Sequence, residues 1–235
     1  MKTQIIALIV VFAMMCTGCS KNDDKPDTLP LPEDVVQVEP TNPLALPVAN
    51  TEVVFDGVIM PGEYGAQAPT TLSYVAGATT MTVSMSCVGK TLYFGVECYD
   101  PTQTIDVPGM NDSWAPSDGL EIYIDPQGGC YSAVTAGLYR IITIPDAGFT
   151  VRHGQNDATW KPTYTSFGIR TKGHQLADRY MVEIAVPFGA VGITDLSSVR
   201  MALELKATNG TTMNRTPLPG VETGKPYTWC ELTLD

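Results

Sequence analysis

Residues 81–99 have the sequence MTVSMSCVGKTLYFGVECY, in which two runs of alternating apolar and polar residues flank a short turn. A period of two is the pattern of a β-strand that buries one face and exposes the other. If Gly89 and Lys90 form the loop of a hairpin, Met81 lies opposite Cys98 and the apolar residues of both runs fall on one side. The stretch therefore predicts an antiparallel β-hairpin that covers a hydrophobic core.

The register of this hairpin also constrains the cysteines. Cys87 and Cys98 lie about six residue steps apart along it, or ~20 Å at ~3.3 Å per residue, which is too far for a disulfide bridge. Together with Cys130 and Cys230 they are the four cysteines that follow residue 19. The other pairings of these four stay open.

Further segments show the composition and alternation of β-strands. They are residues 120–125, 138–144, 163–171, 180–186, 200–207 and 229–234. Clusters of glycine, proline, asparagine and aspartate separate them, and no segment after the N-terminal leader has the 3.6-residue period of an amphipathic helix. Many short strands at this spacing predict an all-β fold, an antiparallel β-sandwich of the jelly-roll type, over residues 50–235.

The composition agrees with a turn-rich β protein and narrows the range of ligands. The 235 residues include 21 glycines and 18 prolines, and only 17% are charged, which suits β structure better than helices. The formal net charge of −11 argues against a nucleic-acid partner, because phosphate binding needs an excess of lysine and arginine. It also argues against adhesion of the protein surface to anionic lipid. Neutral ligands and cations remain as candidate ligands.

The N-terminus has the features of an export signal. Lys2 precedes the uncharged apolar run 5–15, which is too short to span a bilayer and matches the apolar region of a signal peptide. The run leads to Gly18-Cys19, which resembles the cleavage and lipidation site of bacterial lipoproteins; the alternative is an ordinary secretory peptide cleaved near Gly18. We therefore expect a lipoprotein signal peptide at residues 1–18 and a lipid anchor on Cys19.

Residues 19–49 have the composition of a flexible spacer. Six prolines lie between residues 20 and 47, and such a segment favours an extended polyproline-like chain. The polar, partly acidic stretch 20–24 resembles the surface-export signal of lipoproteins from glycan-degrading gut bacteria. We therefore expect an outer-membrane lipoprotein that is exposed on the cell surface and contacts the membrane through its lipid.

A series of short motifs follows in order along the rest of the chain. They are FDG at 55–57, LYF at 92–94, SWAPSDGLEIYID at 113–125, YR at 139–140, YMVEIAVPF at 180–188 and WCEL at 229–232. This series resembles the domain of carbohydrate-binding module family 9 over roughly residues 50–235. The resemblance implies a β-sandwich that binds oligosaccharides or polysaccharides without catalysis, in the service of glycan capture or degradation.

The resemblance also implies ligand-binding roles for particular side chains. The family's first stacking tryptophan falls on Trp114, whose indole offers a flat apolar platform to the C–H face of a sugar ring. Its carboxylate and guanidinium fall on Glu121 and Arg140, which suit pairs of hydroxyl groups because charge-assisted hydrogen bonds are strong. Glu204 lies near the position of a ligand-binding amide. Trp160 is the candidate to replace a second tryptophan that this chain lacks before its last strand.

Strand alternation predicts where the charged members of this set lie. Glu121 and Arg140 each alternate with apolar neighbours, so both should project from one face of a sheet as a solvent-facing patch. Two alternatives stay open, namely that Trp114 caps the edge of the sandwich and that Glu121 and Arg140 form a surface ion pair of little energetic value. Trp229, in a terminal strand, is expected in the core.

Catalysis and assembly are competing functions. A glycosidase needs two carboxyl groups about 5–10 Å apart in a cleft, and Asp118, Glu121 and Asp125 are close in sequence, but nothing in the sequence marks a deep cleft. We therefore expect no enzyme activity. A structural or assembly lipoprotein, with Trp114 at a protein interface, is a further alternative.

A haem-binding electron-transfer protein is the other alternative. Relatives of this sandwich bind haem through methionine and histidine, and the chain has ten methionines and two histidines. Haem ligation needs an apolar pocket around the ligands. Met81, Met85, Met181 and Met201 lie in predicted strands, where we expect them to fill the core.

Aspartates in predicted loops bear on the cofactor. Asp56, Asp100, Asp106, Asp112 and Asp118 supply oxygen donors of the kind that Ca²⁺ prefers, although no EF-hand spacing is present. We expect no required cofactor and keep structural Ca²⁺ as an open option.

Replacing the cysteine that we expect to carry lipid tests the anchor. Cys19→Ala should leave the protein unlipidated, so that membrane fractionation recovers it as a soluble or unprocessed form. Ser20→Ala, one residue later, should fractionate like the wild type. Equal partition of Cys19→Ala and wild type into membranes would contradict the lipoprotein interpretation.

Overall fold

The computed structural model describes residues 35–74, 78–100, 118–145, 148–163, 165, 167–209 and 212–234. These residues form thirteen strands, which are β1 (Ala45–Val48), β2 (Thr70–Tyr74), β3 (Thr79–Val88), β4 (Thr91–Tyr99), β5 (Gly119–Asp125), β6 (Tyr139–Thr143), β7 (Phe149–Gly154), β8 (Trp160–Thr163), β9 (Arg170–Gln175), β10 (Arg179–Pro187), β11 (Arg200–Asn209), β12 (Thr212–Pro217) and β13 (Cys230–Leu234). Between the strands, the described residues also form single-turn 3₁₀ helices at Phe188–Ala190, Leu196–Ser198 and Pro226–Thr228.

The strands form two sheets that pack face to face. The larger sheet has the order β1-β13-β11-β5-β6-β7-β8, with β12 also paired to β11, and the smaller has the order β2-β3-β4-β10-β9. All of these pairings are antiparallel except that of β1 with β13. One apolar core lies between the sheets, and Ile122, Phe94 and Ile184 are among its fully buried members. The described residues therefore form the predicted all-β sandwich.

Strands β3 and β4 form the predicted hairpin in the predicted register. Met81 lies opposite Cys98, and Cys87 lies opposite Leu92. Gly89 in the turn has a φ of 59°, a left-handed conformation that glycine adopts without steric cost. Cys87 and Cys98 therefore lie at opposite ends of the hairpin, and each described cysteine is a free thiol.

The core contains the large side chains that the sequence placed there. Trp229 is fully buried, which confirms its predicted position. Met81, Met85 and Met201 belong to the core cluster, so their predicted core-filling role is confirmed. Met181 is also buried, but its sulfur accepts a hydrogen bond from a backbone N–H of the 51–69 segment.

The strand predicted at 163–171 is wrong. β8 ends at Thr163 and β9 begins at Arg170. Phe167 and Gly168 between them form a turn, with φ values of 48° and 84°. Two successive residues in the left-handed region end an extended strand, and the chain passes here from the larger sheet to the smaller.

The packed domain begins before residue 50, which differs from the predicted extent of the spacer. Val35 is buried, and β1 pairs with β13. Leu46 and Val48 are 0% and 1% exposed, whereas Pro47 lies between them on an edge strand, where a missing N–H is tolerated. The spacer can therefore comprise only residues before 35, which lie outside the described part of the chain together with the predicted signal peptide and lipid anchor.

No helix in the described ranges is long and apolar enough to cross a membrane.

Two leucines on either side of the start of β1 test whether this strand belongs to the domain. Leu46→Ala should lower the free energy of unfolding by about 2–5 kcal/mol, because it leaves a cavity in the core. Leu44→Ala removes the same atoms from a side chain that is 37% exposed and should have a much smaller effect. Urea unfolding of both variants gives the comparison, and equal stabilities would contradict a packed β1.

Candidate functional site

The outer face of the larger sheet, which points away from the core, carries a cluster of ionisable side chains. Glu121 and Tyr123 on β5 alternate with core residues, and Glu204 and Lys206 on β11 do the same. Glu204 lies directly opposite Glu121 in the register of the two strands. Two carboxylates in this arrangement repel each other, so the face needs cations.

The carboxylate of Glu121 is the centre of the cluster. Its Oε2 atom accepts hydrogen bonds from Arg140 Nε at 2.8 Å and from the Tyr123 hydroxyl at 2.7 Å. The same oxygen lies 2.6 Å from Arg140 Nη2 and 2.9 Å from Arg215 Nη1. Arg140 comes from β6 and Arg215 from β12, so strands on both sides of the β5–β11 pair supply cations to one oxygen.

The carboxylate of Glu204 shares these donors. Its Oε2 atom accepts a hydrogen bond from Arg215 Nη1 at 2.7 Å and lies 3.0 Å from the Tyr123 hydroxyl. A phenol has one hydrogen, so Tyr123 donates to one carboxylate at a time. The Nζ atom of Lys206 lies 3.9 Å from Glu121 Oε1. We call the following six residues the ion-pair network: Glu121, Tyr123, Arg140, Glu204, Lys206 and Arg215.

Burial and charge pairing act against each other in this network. Burial favours the neutral form of Glu121, but the positive charges of Arg140 and Arg215 outweigh burial and hold the pKa of Glu121 below its ordinary value. For Lys206 burial outweighs the attraction of Glu121 and lowers the pKa to about 8. Burial and the neighbouring Glu121 carboxylate raise the pKa of Tyr123. Near neutral pH the network therefore contains an ionised Glu121, a neutral phenol and a lysine that is still mainly protonated.

A cleft of about 360 Å³ opens over the ion-pair network. We call it the β5–β11 cleft, and its lining residues are Tyr123, Val134, Arg140, Ala158, Trp160, Glu204, Arg215, Thr223 and Gly224. The rings of Trp160 and Tyr123 meet edge-on with centroids 5.8 Å apart. The Arg140 guanidinium lies over the Tyr123 ring, 5.3 Å from its centroid, and Trp229 contacts the same ring from 5.8 Å. Aromatic and ionic groups of the cleft thus hold one another in place.

The structure brings four of the five predicted binding residues together. Arg140, Glu204 and Trp160 line the β5–β11 cleft. Glu121 is not among the lining residues, but it contacts two of them, Arg140 and Arg215. Trp114 lies outside the described residues.

Glu121 itself differs from the prediction in its exposure. It is 0% exposed, so it does not face solvent. The alternative of an exposed Glu121–Arg140 pair fails too, because the Arg140 side chain is only 13% exposed. Strand alternation identified the correct face of the sheet, but it could not show that Tyr123, Arg140 and Arg215 close over the carboxylate.

Two residues of the ion-pair network, Tyr123 and Arg215, were not predicted from the sequence. Tyr123 follows Glu121 by two residues and therefore shares its face, a signal that the alternation already contained. Arg215 lies on β12, a strand that was not predicted. The sequence of β12, TMNRTP, has no alternation of apolar residues, so nothing in it indicated where Arg215 lies.

The aspartates considered for Ca²⁺ are placed as follows. Asp56 and Asp118 each accept a hydrogen bond from a backbone N–H, and Asp100 is buried. Asp106 and Asp112 lie outside the described residues. Within the described ranges, no group of three or more histidine, cysteine, aspartate or glutamate side chains is arranged to hold a metal ion.

The two histidines do not share a site. His153 lies on β7 of the larger sheet, where its Nδ1 atom pairs with Thr163 Oγ1 at 2.8 Å. His174 lies on β9 of the smaller sheet. The haem hypothesis named a methionine and a histidine as ligands, and Met181 on β10 lies directly opposite His174 in the register of the smaller sheet. Haem binding itself stays a prediction.

Known structures share this fold. Two structures of a carbohydrate-binding module of family 9 from Caldicellulosiruptor kristjanssonii match with TM-scores of 0.61 and 0.60 at 16% and 14% sequence identity; one holds cellotriose and the other glucose. The matches cover 82% of this chain and 94% and 96% of theirs. A candidate carbohydrate-binding protein from Bacteroides uniformis matches with a TM-score of 0.54 at 8% identity, over 82% of this chain and 100% of its own. No protein-family model matches the chain, and no curated protein matches its sequence. The likeness establishes the fold, a β-sandwich like that of family 9.

Removing the charge of Glu121 tests the ion-pair network. Glu121→Gln should lower the free energy of unfolding by about 3–5 kcal/mol, because it leaves buried positive charge uncompensated. Glu97→Gln is the control, since the Glu97–Arg179 pair is about 40% exposed on both sides and exposed pairs contribute about 1 kcal/mol or less. Denaturant unfolding of both variants at neutral pH measures the difference.

The pH dependence of the same variant gives a second readout. Because folding lowers the pKa of Glu121, its stabilisation should be fully present above its ordinary pKa of 4.5 and should disappear as the pH falls through the lowered value. The stability gap between wild type and Glu121→Gln should therefore narrow below pH 4.5. A gap that stays constant down to pH 2 would contradict the lowered pKa.

Proposed function

We propose that the domain binds an oligosaccharide or polysaccharide in the β5–β11 cleft and catalyses no reaction on it. The observation that carries the proposal is the position of Trp160 beside two arginines whose guanidinium groups are already fixed by buried carboxylates. The two family 9 structures with the same fold hold cellotriose and glucose. The β5–β11 cleft combines an aromatic side chain with charged hydrogen-bonding groups, which are the two kinds of group that bind a sugar.

Trp160 supplies the apolar part of this recognition. It is partly buried, packs edge-on against Tyr123 and lines the cleft. An indole in this position offers its face to the C–H groups of a sugar ring. The cleft volume of about 360 Å³ lies within the range of small-ligand sites, roughly 300–1,000 Å³, and suits a short segment of a glycan.

Arg140, Arg215 and Glu204 supply the polar part. They line the cleft, and their charged groups form strong hydrogen bonds with hydroxyl pairs. Glu121, which is fully buried, acts as a positioning residue that orients both guanidinium groups. Trp114, outside the described residues, is proposed as a further stacking platform because of the family resemblance alone.

The state of the carboxylates favours binding over glycoside hydrolysis. A glycosidase needs a carboxylic acid that keeps its proton near neutral pH, and therefore a raised pKa. The pKa of Glu121 is lowered by Arg140 and Arg215, and its side chain has no exposed surface. Glu204 is bound to Arg215. Glu121 is therefore not arranged as a proton donor to a ligand.

We further propose that the domain is held at the outer membrane by lipid on Cys19 and faces outward from the cell surface. The residues between Cys19 and Val35 would then separate the cleft from the membrane, and the protein would serve the capture or degradation of glycans. The lipidation motif and the acidic stretch that follows it support this placement.

Trp160 gives the direct test of the binding proposal. Trp160→Ala should weaken the affinity for the preferred glycan at least about 10-fold, as expected for an aromatic hot spot, and Trp160→Phe should weaken it less. Tyr99→Ala is the control, because Tyr99 is an exposed aromatic residue on the smaller sheet. A glycan array identifies the ligand, and calorimetric titration with parallel thermal melts measures the variants. A folded Trp160→Ala variant with wild-type affinity would remove the site from this cleft.

A further inference from the structure

The β5–β11 cleft does not share the large negative charge of the whole protein. The chain has a formal net charge of −11. In the ion-pair network the three cations Arg140, Lys206 and Arg215 face the two carboxylates Glu121 and Glu204, and a third carboxylate, Asp118, also attracts Lys206. The ion-pair network is therefore balanced in charge, so a further cation beside it makes the local charge positive.

Arg152 adds another positive charge beside the cleft. It lies on β7 directly opposite Arg140 on β6, and both alternate with core residues, so the two side chains share the outer face of the sheet. The Nε atom of Arg152 is buried without a hydrogen-bond partner, and no carboxylate among the described residues pairs with this guanidinium. Like charges directly opposite each other destabilise a sheet. An anion bound between or beside them would remove that cost.

The two arginines of the cleft also keep donors for an anion. Arg215 uses Nη1 for both of its carboxylate contacts, and its side chain is 36% exposed. Arg140 uses Nε and Nη2 for Glu121. A guanidinium has five N–H donors, so each arginine retains N–H groups that its contacts with Glu121 and Glu204 do not use.

We propose that the β5–β11 cleft selects saccharides that carry a carboxylate, such as glycans containing uronic acid. The inference rests on the proposed saccharide-binding function and specifies its ligand class. Trp160 would contact the sugar ring, and the carboxylate would lie among Arg140, Arg152 and Arg215. Arginine suits this role because its planar fork matches the two oxygens of a carboxylate. The net charge of the chain favoured neutral ligands and cations, but that charge does not describe this cleft.

A matched pair of ligands tests the proposal on the purified protein. An array of acidic and neutral glycans identifies the tightest acidic ligand, and calorimetric titration then compares its free acid with its methyl ester. The two differ in charge but share the same sugar rings. The acid should bind at least about 10-fold more tightly than the ester at low salt, as expected for a charge-assisted hydrogen bond. Added NaCl should reduce this ratio.

Three variants locate the effect. Arg152→Gln should reduce the ratio of acid to ester affinity by about 5-fold, the scale of one partly exposed charge pair, and Arg152→Lys should keep most of the ratio. Arg179→Gln removes the same charge from an exposed ion pair on the smaller sheet and should leave the ratio unchanged. Thermal melts confirm that each variant is folded, and the salt dependence of the wild type gives a test that needs no variant.

The outcomes separate this inference from the proposed function. Equal affinity for acid and ester, or an array that shows neutral glycans alone, would overturn the inference and leave saccharide binding intact. Binding of no glycan of either kind would overturn the proposed function and the inference with it. A ratio that falls equally in Arg152→Gln and Arg179→Gln would reject this cleft as the source of selectivity.

Discussion

The Glu121 carboxylate lies in the middle of the larger sheet without any surface exposed to solvent, and its neighbours have to satisfy it there. A buried charge costs several kcal/mol unless opposite charges and hydrogen bonds compensate it. Arg140 and Arg215 supply the charge, and Tyr123 supplies a neutral donor. Because β5 is a central strand, Glu121 cannot move to meet these groups. The arginines therefore converge on Glu121, and their position is set by the sheet.

This constraint also fixes the side chains that line the proposed binding cleft. A flexible arginine loses conformational entropy when it binds, and that loss reduces affinity. Arg140 loses most of this freedom on folding, since it holds Glu121 and lies over the Tyr123 ring. Trp160 and Trp229 both contact that ring as well. A ligand would therefore contact an aromatic and cationic surface that is already ordered. The conformational entropy of these side chains is lost on folding and not on binding.

Sequence patterns predicted the parts of the molecule that local rules decide. The hairpin register followed from alternation and from the turn at Gly89, because a shift by one residue would expose the whole apolar face. Arg215 could not be found in this way, since β12 exists through its pairing with β11 and not through a local preference. β1 was not predicted because it contains Pro47. Proline is acceptable in a sheet only at an edge position, and the sequence does not show which strands are edges. The predicted face of Glu121 was correct, but its burial depends on side chains from β6 and β12.

The net charge of the chain and the local charge of the cleft can differ in effect because electrostatic interactions weaken with distance. At physiological ionic strength exposed charges are screened beyond about 8 Å, so the acidic surface acts weakly on a ligand that has entered the cleft. Partly buried cations are screened much less. In the proposed site the overall charge would mainly affect how fast an anionic glycan approaches, while Arg140, Arg152 and Arg215 would determine how tightly it is held. An acidic protein can therefore carry an anion-selective site, provided that its cations lie where solvent and salt reach them poorly.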